Sequence, residues 1–204
     1  APIRARLRKR IPMQAGLGGG SADAAAALLA LDRLFDLRCT TDELRLAAAD
    51  IGSDVPFFLA GGPAAALGRG EIIQPLQGSI HGRIGLAISR RGVSTAEAYR
   101  RFSPQNAEPG PPLRQISRAI EQNDAEAVFS GLYNAFEKLV FPIRPDLACA
   151  KQRFADSGAN GALMSGSGAT VFGAWKSADP AVENRPASDF AAKAMVWTDF
   201  CEST

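Results

Sequence analysis

The stretch that decides the fold is "MQAGLGGGSADAAAALLALDRLF", residues 13–35. Four glycines and a serine run straight into an alanine-rich segment. A joint or a tight turn needs one or two glycines, and Gly16, Gly18, Gly19 and Gly20 exceed that. Backbone without side chains lets an anion come close to the N–H groups. A helix that follows aims its unpaired amides and the positive end of its dipole at the same point. The local reading is therefore a phosphate cradle, with Ser21 adding a hydroxyl and Asp23 a carboxylate in the first helical turn.

The two commonest phosphate loops do not fit. A Walker A loop requires a lysine and a hydroxyl residue after its last glycine, whereas Gly20 is followed by Ser21 and Ala22. A dinucleotide fingerprint requires a third glycine where Ser21 stands. It also requires an acid at the end of a second strand, but Asp36 precedes a Cys-Thr-Thr turn.

The rest of the chain bounds the class. Its 204 residues suffice for one large domain or two small ones. With 23 basic and 21 acidic residues, a net charge of +2 points to neither nucleic acid nor a membrane surface as partner. Cys39, Cys149 and Cys201 are odd in number and far apart, and His81 is the only histidine. That pattern argues against a disulfide framework or a zinc site and fits a reducing cytoplasm. No apolar run has the length of a membrane span, and no signal segment opens the chain. The basic stretch "IRARLRKRIP" alternates like a half-exposed strand entering the glycine loop, as if the chain began inside a domain.

Along the chain, periodicity and punctuation predict helices over residues 22–35 and 41–50, the second capped by Thr40 or Thr41. Short strands flank a turn at 68–70, and "GRIGLAIS" reads as a strand. "STAEAYRRF" is a capped helix, and residues 104–112 form a proline-rich loop. Helices are expected over 113–122, 124–129, 134–139 and 145–156, the last with proline in its first turn. "NGALMSGSGATVFGAW" reads as two strands around a second glycine-serine turn at 165–168. A helix near Ala187 and a strand at 195–197 close the chain. Asp54, in the break "GSDVPFFLA", reads locally as a helix cap. His81 is expected to be solvated or capping, and Trp175 and Trp197 to lie in the core.

Two glycine-rich turns with an acid between them form a combination that resembles the GHMP small-molecule kinases. "IPMQAGLGGGSADAAAALLAL" is similar to their second motif and "LMSGSGATVFG" to their third. "AGLGGGSADAA", "GSDVPFFLAGGPAAALGRGE", "VSTAEAYRRF" and "NAFEKLVFPIRPDL" resemble one branch of the family. That branch uses ATP to phosphorylate the 2-hydroxyl of a cytidine-diphosphate-linked branched sugar alcohol, a step of the non-mevalonate route to isoprenoid precursors.

The resemblance implies an α+β fold of two lobes. A ribosomal S5 domain 2-like ATP-binding lobe would occupy residues 1–81, incomplete at its start, and a ferredoxin-like lobe would occupy 82–204, with the cleft between them. It implies ATP binding by Lys9, Pro12, Ala15, Gly16, Leu17, Gly18, Gly19, Gly20, Ser21 and Ala22, with Mg²⁺ near Ser21. Asp54 would meet the accepting hydroxyl, and Ser165, Gly166, Ser167 and Gly168 would close over the phosphates. The implied partner is a small molecule, in the cytoplasm, with no nucleic acid or membrane. Ala22 stands where the family usually has a second serine. The family's opening segment, with a lysine that pairs with the catalytic acid and groups that hold cytosine, is absent from these residues. The expectation is an incomplete fragment without turnover of its own. The alternatives are another GHMP kinase, acting on homoserine, mevalonate or a sugar, or a nucleotide-binding module without catalysis.

Overall fold

The computed structural model describes residues 3–89, 91–102, 109–176 and the backbone of 195–197. Helix α1, Gly19–Leu34, packs against α2, Thr41–Ile51. Alanine allows the close approach: Ala25 and Ala48 are buried together with Val55, and Ala24, Leu28, Phe58 and Leu59 pack around them. Thr40 caps α2 through a reciprocal pairing, its hydroxyl accepting the Glu43 N–H while the Glu43 side chain accepts the Thr40 N–H. Helix α2 stops at Gly52. After a turn carrying Asp54, the single turn α3, Phe57–Ala60, leads into the antiparallel hairpin of β1, Ala64–Leu67, and β2, Ile72–Pro75.

The second body is a four-stranded sheet with helices against it. Strand β3, Gly82–Ile88, is followed by α4, Thr95–Arg101, α5, Leu113–Glu121, α6, Ala125–Ser130, α7, Glu137–Val140, and α8, Pro145–Asp156. Strands β4, Gly161–Ser165, β5, Thr170–Lys176, and β6, Met195–Trp197, complete it in the order β4-β5-β3-β6. Counted within this body, that is the strand order of a ferredoxin-like sheet. β5 runs antiparallel to β3 and β4, and β6 joins β3 in parallel. Helix α8 buries Leu147, Ala150 and Phe154 against the sheet, where they meet Ala87, Met164 and Val171. Full burial of a side chain the size of Leu147, Phe154, Met164 or Val171 stabilises by about 1.5–3 kcal/mol. Trp175 packs edge-on against Phe154, as a core residue should.

Several expectations need correcting. Residues 3–10 form no strand: every one is exposed, and no sheet among the described residues offers them a ladder. Alternation alone cannot make a strand without a backbone partner. Of the first lobe's sheet, the described residues contain only the β1–β2 hairpin. The helix expected over 134–139 is shorter, because Asn134 folds back onto the chain after it. His81 is not solvated: it lies half-buried, its Nε2 sharing a hydrogen bond of 2.9 Å with Ser79 Oγ, and its Nδ1 is buried without a partner. Cys39 is a free thiol but Cys149 is disulfide-bonded, a pairing that sequence spacing does not reveal. The predicted helix near Ala187, most of the 104–112 loop and the side chain of Trp197 lie outside the described residues.

Candidate active site

Helix α1 begins three residues earlier than its alanines suggest. Gly18 takes a left-handed conformation, φ 64°, and acts as the N-cap; Gly19 and Gly20 are already helical. A methyl group on Gly18 would lie 2.7 Å from the Phe58 ring, so both the backbone angle and the packing require glycine there. The first bond of the helix runs from the Ala22 N–H to the Gly18 carbonyl, at 2.9 Å. The N–H groups of Gly18, Gly19, Gly20 and Ser21 precede it and have no acceptor within the helix. No side chain caps them. They open onto a cleft of about 1690 Å³, together with the end of the helix dipole.

The early start also moves Asp23 out of the first turn, where no acid remains. Its carboxylate pairs instead with Lys9, which arrives on the exposed segment before the loop. Lys9, Pro12, Ala15, Gly16, Leu17 and Ser21 line the cleft with Gly18, Gly19 and Gly20. Ala22 does not: it sits inside α1 with its amide already bonded.

The second glycine turn reaches the first. Ser165 donates its hydroxyl to the Gly16 carbonyl at 2.7 Å. A methyl on Gly16 would lie 2.3 Å from the Ser165 carbonyl oxygen and 2.8 Å from that of Gly168. The four residues of this turn divide their tasks. Gly166 and Ser167 line the cleft; Ser165 and Gly168 stitch the turn to the glycine loop and to itself. Ser167 is 5% exposed, and its hydroxyl shares a hydrogen bond of 2.9 Å with Thr95 Oγ1 at the start of α4. Asn134 fixes the turn from behind, donating to the carbonyls of Met164 and Gly166 at 2.7 Å each.

Asp54 lines the same cleft and is exposed. The helix-cap reading of this residue is wrong: α3 has Pro56 at its N-cap and no side-chain cap bond. The Asp54 carboxylate takes part in no hydrogen bond or ion pair among the described residues. Sequence reasoning missed Arg69, Thr95, Tyr99 and Phe136 as cleft residues, and Asn134 as the support of the second turn. Tyr99 and Phe136 meet edge to face at 4.9 Å on the cleft wall. Helical spacing puts Tyr99 on α4, but nothing in a single sequence says that α4 turns this face toward the glycine loop.

No group of three or more acidic, histidine or cysteine side chains able to hold a metal occurs among the described residues. Mg²⁺ commonly takes one or two protein oxygens and fills its other positions with phosphate and water. The Ser21 hydroxyl is on the cleft wall and takes part in no hydrogen bond among the described residues. No helix of the described residues is long and apolar enough to cross a membrane.

Comparison with known proteins fits this geometry. A model of the GHMP kinases N terminal domain matches residues 1–62, and one of the GHMP kinases C terminal matches residues 97–187. A protein of Bacillus velezensis named 4-diphosphocytidyl-2-C-methyl-D-erythritol kinase is 44% identical over 167 residues, which is 82% of this chain and 57% of that protein. One of the same name from Pelotomaculum thermopropionicum is 45% identical over 168 residues, 82% of this chain and 58% of the relative. A crystal structure of 4-(cytidine 5′-diphospho)-2C-methyl-D-erythritol kinase superposes with a TM-score of 0.68 at 37% identity, over 81% of this chain and 59% of that one. The chain thus spans less than two thirds of the length of these relatives. The two matches fall in chain order over the two bodies that meet at the glycine turns, and this chain belongs to the GHMP kinase family.

Proposed function

We propose that this chain carries the phosphate-handling site and second lobe of an ATP-dependent kinase whose substrate is 4-diphosphocytidyl-2-C-methyl-D-erythritol, phosphorylated on its 2-hydroxyl. The observation that carries the reading is the convergence of three features on one cleft. These are unpaired amides at the start of α1, a second glycine turn bonded to Gly16, and an unpartnered Asp54 carboxylate. Identities of 44% and 45% to proteins named for that activity favour this substrate over those of other GHMP kinases. The homoserine, mevalonate and sugar kinase alternatives have no comparable support.

Phosphoryl transfer asks for charge stabilisation on the donor phosphates and for a group that takes the proton of the attacking hydroxyl. The N–H groups of Gly18–Ser21 and the α1 dipole supply the first. Mg²⁺, held with help from the Ser21 hydroxyl, supplies neutralising charge when bound. Asp54 accepts the hydroxyl proton or orients it. Lys9, tied to Asp23, brings positive charge to the loop's approach. Gly166 and Ser167, held by Asn134 and Thr95, form the opposite wall and keep the transferred group in line. We place the lobe division at residues 81 and 82, where β3 begins, and the site of action in the cytoplasm.

The test is turnover. Full-length protein carrying this sequence should transfer the ATP γ-phosphate to the cytidine-linked substrate and leave homoserine and mevalonate untouched, followed by ³¹P NMR. Preferred phosphorylation of homoserine or mevalonate would replace the substrate assignment. Nucleotide binding without transfer to any alcohol would favour the non-catalytic module.

A further inference from the structure

The tip of the β1–β2 hairpin carries a cation that the mechanism above leaves unused. Arg69 lines the cleft and is exposed. Among the described residues its guanidinium has no hydrogen bond or ion pair, whereas Lys9 on the same cleft is committed to Asp23. The acid closest in sequence, Glu71, feels the Arg69 charge but forms no ion pair with the guanidinium. Its carboxylate accepts its own backbone N–H and, at 2.7 Å, the Arg69 backbone N–H; these bonds, with a smaller contribution from the Arg69 charge, hold it below the usual carboxylate range.

The turn is built to hold Arg69 in place. Gly68 and Gly70 both have positive φ, 69° and 112°, and the Gly70 N–H closes the turn on the Leu67 carbonyl at 3.0 Å. On its other side the turn abuts the segment with the acid: the Cβ position of Gly70 is 3.6 Å from both Asp54 Oδ1 and the Ser53 carbonyl oxygen. The guanidinium therefore belongs to the residue next to a glycine whose open side faces Asp54. A planar fork of donors suits two oxygens of a phosphate.

We propose that Arg69 binds a phosphate oxyanion beside Asp54, and that this anion is the diphosphate of the acceptor substrate. The choice of acceptor rests on the kinase reading above and on the division of the cleft. The donor phosphates already have the amides of α1. The acceptor hydroxyl must lie at Asp54, so a diphosphate on the same molecule comes within reach of the adjoining turn. Arg69 is then a specificity-determining residue that favours phosphate-bearing alcohols over neutral ones.

The experiment uses Arg69→Gln and Arg69→Lys in full-length protein, with titration of cytidine 5′-diphosphate, cytidine and ATP, and with steady-state kinetics. Arg69→Gln should weaken cytidine 5′-diphosphate binding and raise the acceptor KM by about 10-fold or more. Cytidine affinity, ATP KM and Tm should stay at wild-type values, and Arg69→Lys should recover part of the loss. A rise in ATP KM with acceptor KM unchanged would put the same anion on the donor and overturn the acceptor assignment. Wild-type turnover combined with unchanged constants in Arg69→Gln would remove the anion role and leave the kinase reading standing. Absence of wild-type turnover would remove that reading, and weaker cytidine 5′-diphosphate binding by Arg69→Gln would still support the anion site.

Discussion

At Gly20, helix stability and phosphate binding pull in opposite directions, which makes Gly20→Ala a discriminating substitution. Gly20 is the second residue of α1, and a methyl group there would meet nothing within 4 Å. It carries no steric cost, and alanine in place of glycine favours a helix by about 0.5–1 kcal/mol. For a chain of this size that is a rise in Tm of roughly 1–4 °C. Gly20 is exposed and lines the cleft. A methyl there holds an oxyanion away from the neighbouring amides. Losing one charge-assisted hydrogen bond costs about 1.5–3 kcal/mol, or roughly 10- to 100-fold in ATP affinity. Isothermal titration with Mg²⁺-ATP and a thermal melt on the same sample read both effects. ATP affinity within about threefold of wild type, alongside the raised Tm, would refute the phosphate cradle, because the only thing the methyl can obstruct there is a ligand. Gly19→Val is a poorer test, since its side chain would run into Ile11, 2.8 Å from the Cβ position. Gly16→Ala serves as the converse control: its clash with the Ser165 carbonyl should lower Tm before any ligand is added.

Asp54→Asn should leave Tm and ATP affinity near wild type while kcat falls by roughly 10²–10⁴-fold in a steady-state assay of full-length protein; full turnover would remove the proton-acceptor role. Asn134→Ala strips two carbonyls of their donor and should cost about 2–3 kcal/mol, seen as a Tm lower by roughly 4–12 °C in calorimetry; an unchanged Tm would mean the second glycine turn holds itself. The Asp146 carboxyl is held below the usual range, chiefly by its hydrogen bonds from Arg144. A folded pKa below the unfolded one means that the stabilisation is complete above the unfolded value of about 3.9 and is lost as pH falls through the folded one. The stability gap between wild type and Asp146→Asn, from urea melts, should be widest near neutral pH and should close in acid; a constant gap would exclude the linkage.

What could be read in the sequence was whatever depends on near neighbours along the chain. Thr40 and Glu43 spell a capping box three residues apart, and Pro145 marks the start of α8 at the residue where it begins. The Gly68–Gly70 turn and the glycine-serine turn after β4 are likewise punctuated locally. The failures were of another kind. Residues 3–10 have strand alternation without a partner, and partners cannot be seen in a single segment. Gly19 and Gly20 are helical although glycine disfavours helix, because the run of alanines propagates back over them. Asp54 has the residue type of a cap, yet the turn that follows it is too short to need one. Arg69, Thr95 and Asn134 belong to the cleft or its support only because distant elements fold together, and no spacing rule predicts that. The meeting of the two glycine turns was legible only through resemblance to a family.

The bond from the Ser165 hydroxyl to the Gly16 carbonyl joins residues 149 positions apart. During translation at about 5–20 residues per second, the glycine loop leaves the ribosome roughly 7–30 s before the residue that completes its far wall. For that interval α1 offers its amides to solvent in a half-built groove. A nascent chain therefore cannot engage its nucleotide in the finished geometry until β4 has emerged. Ligand-assisted folding of this site is confined to the interval after β4 has emerged and to the released chain.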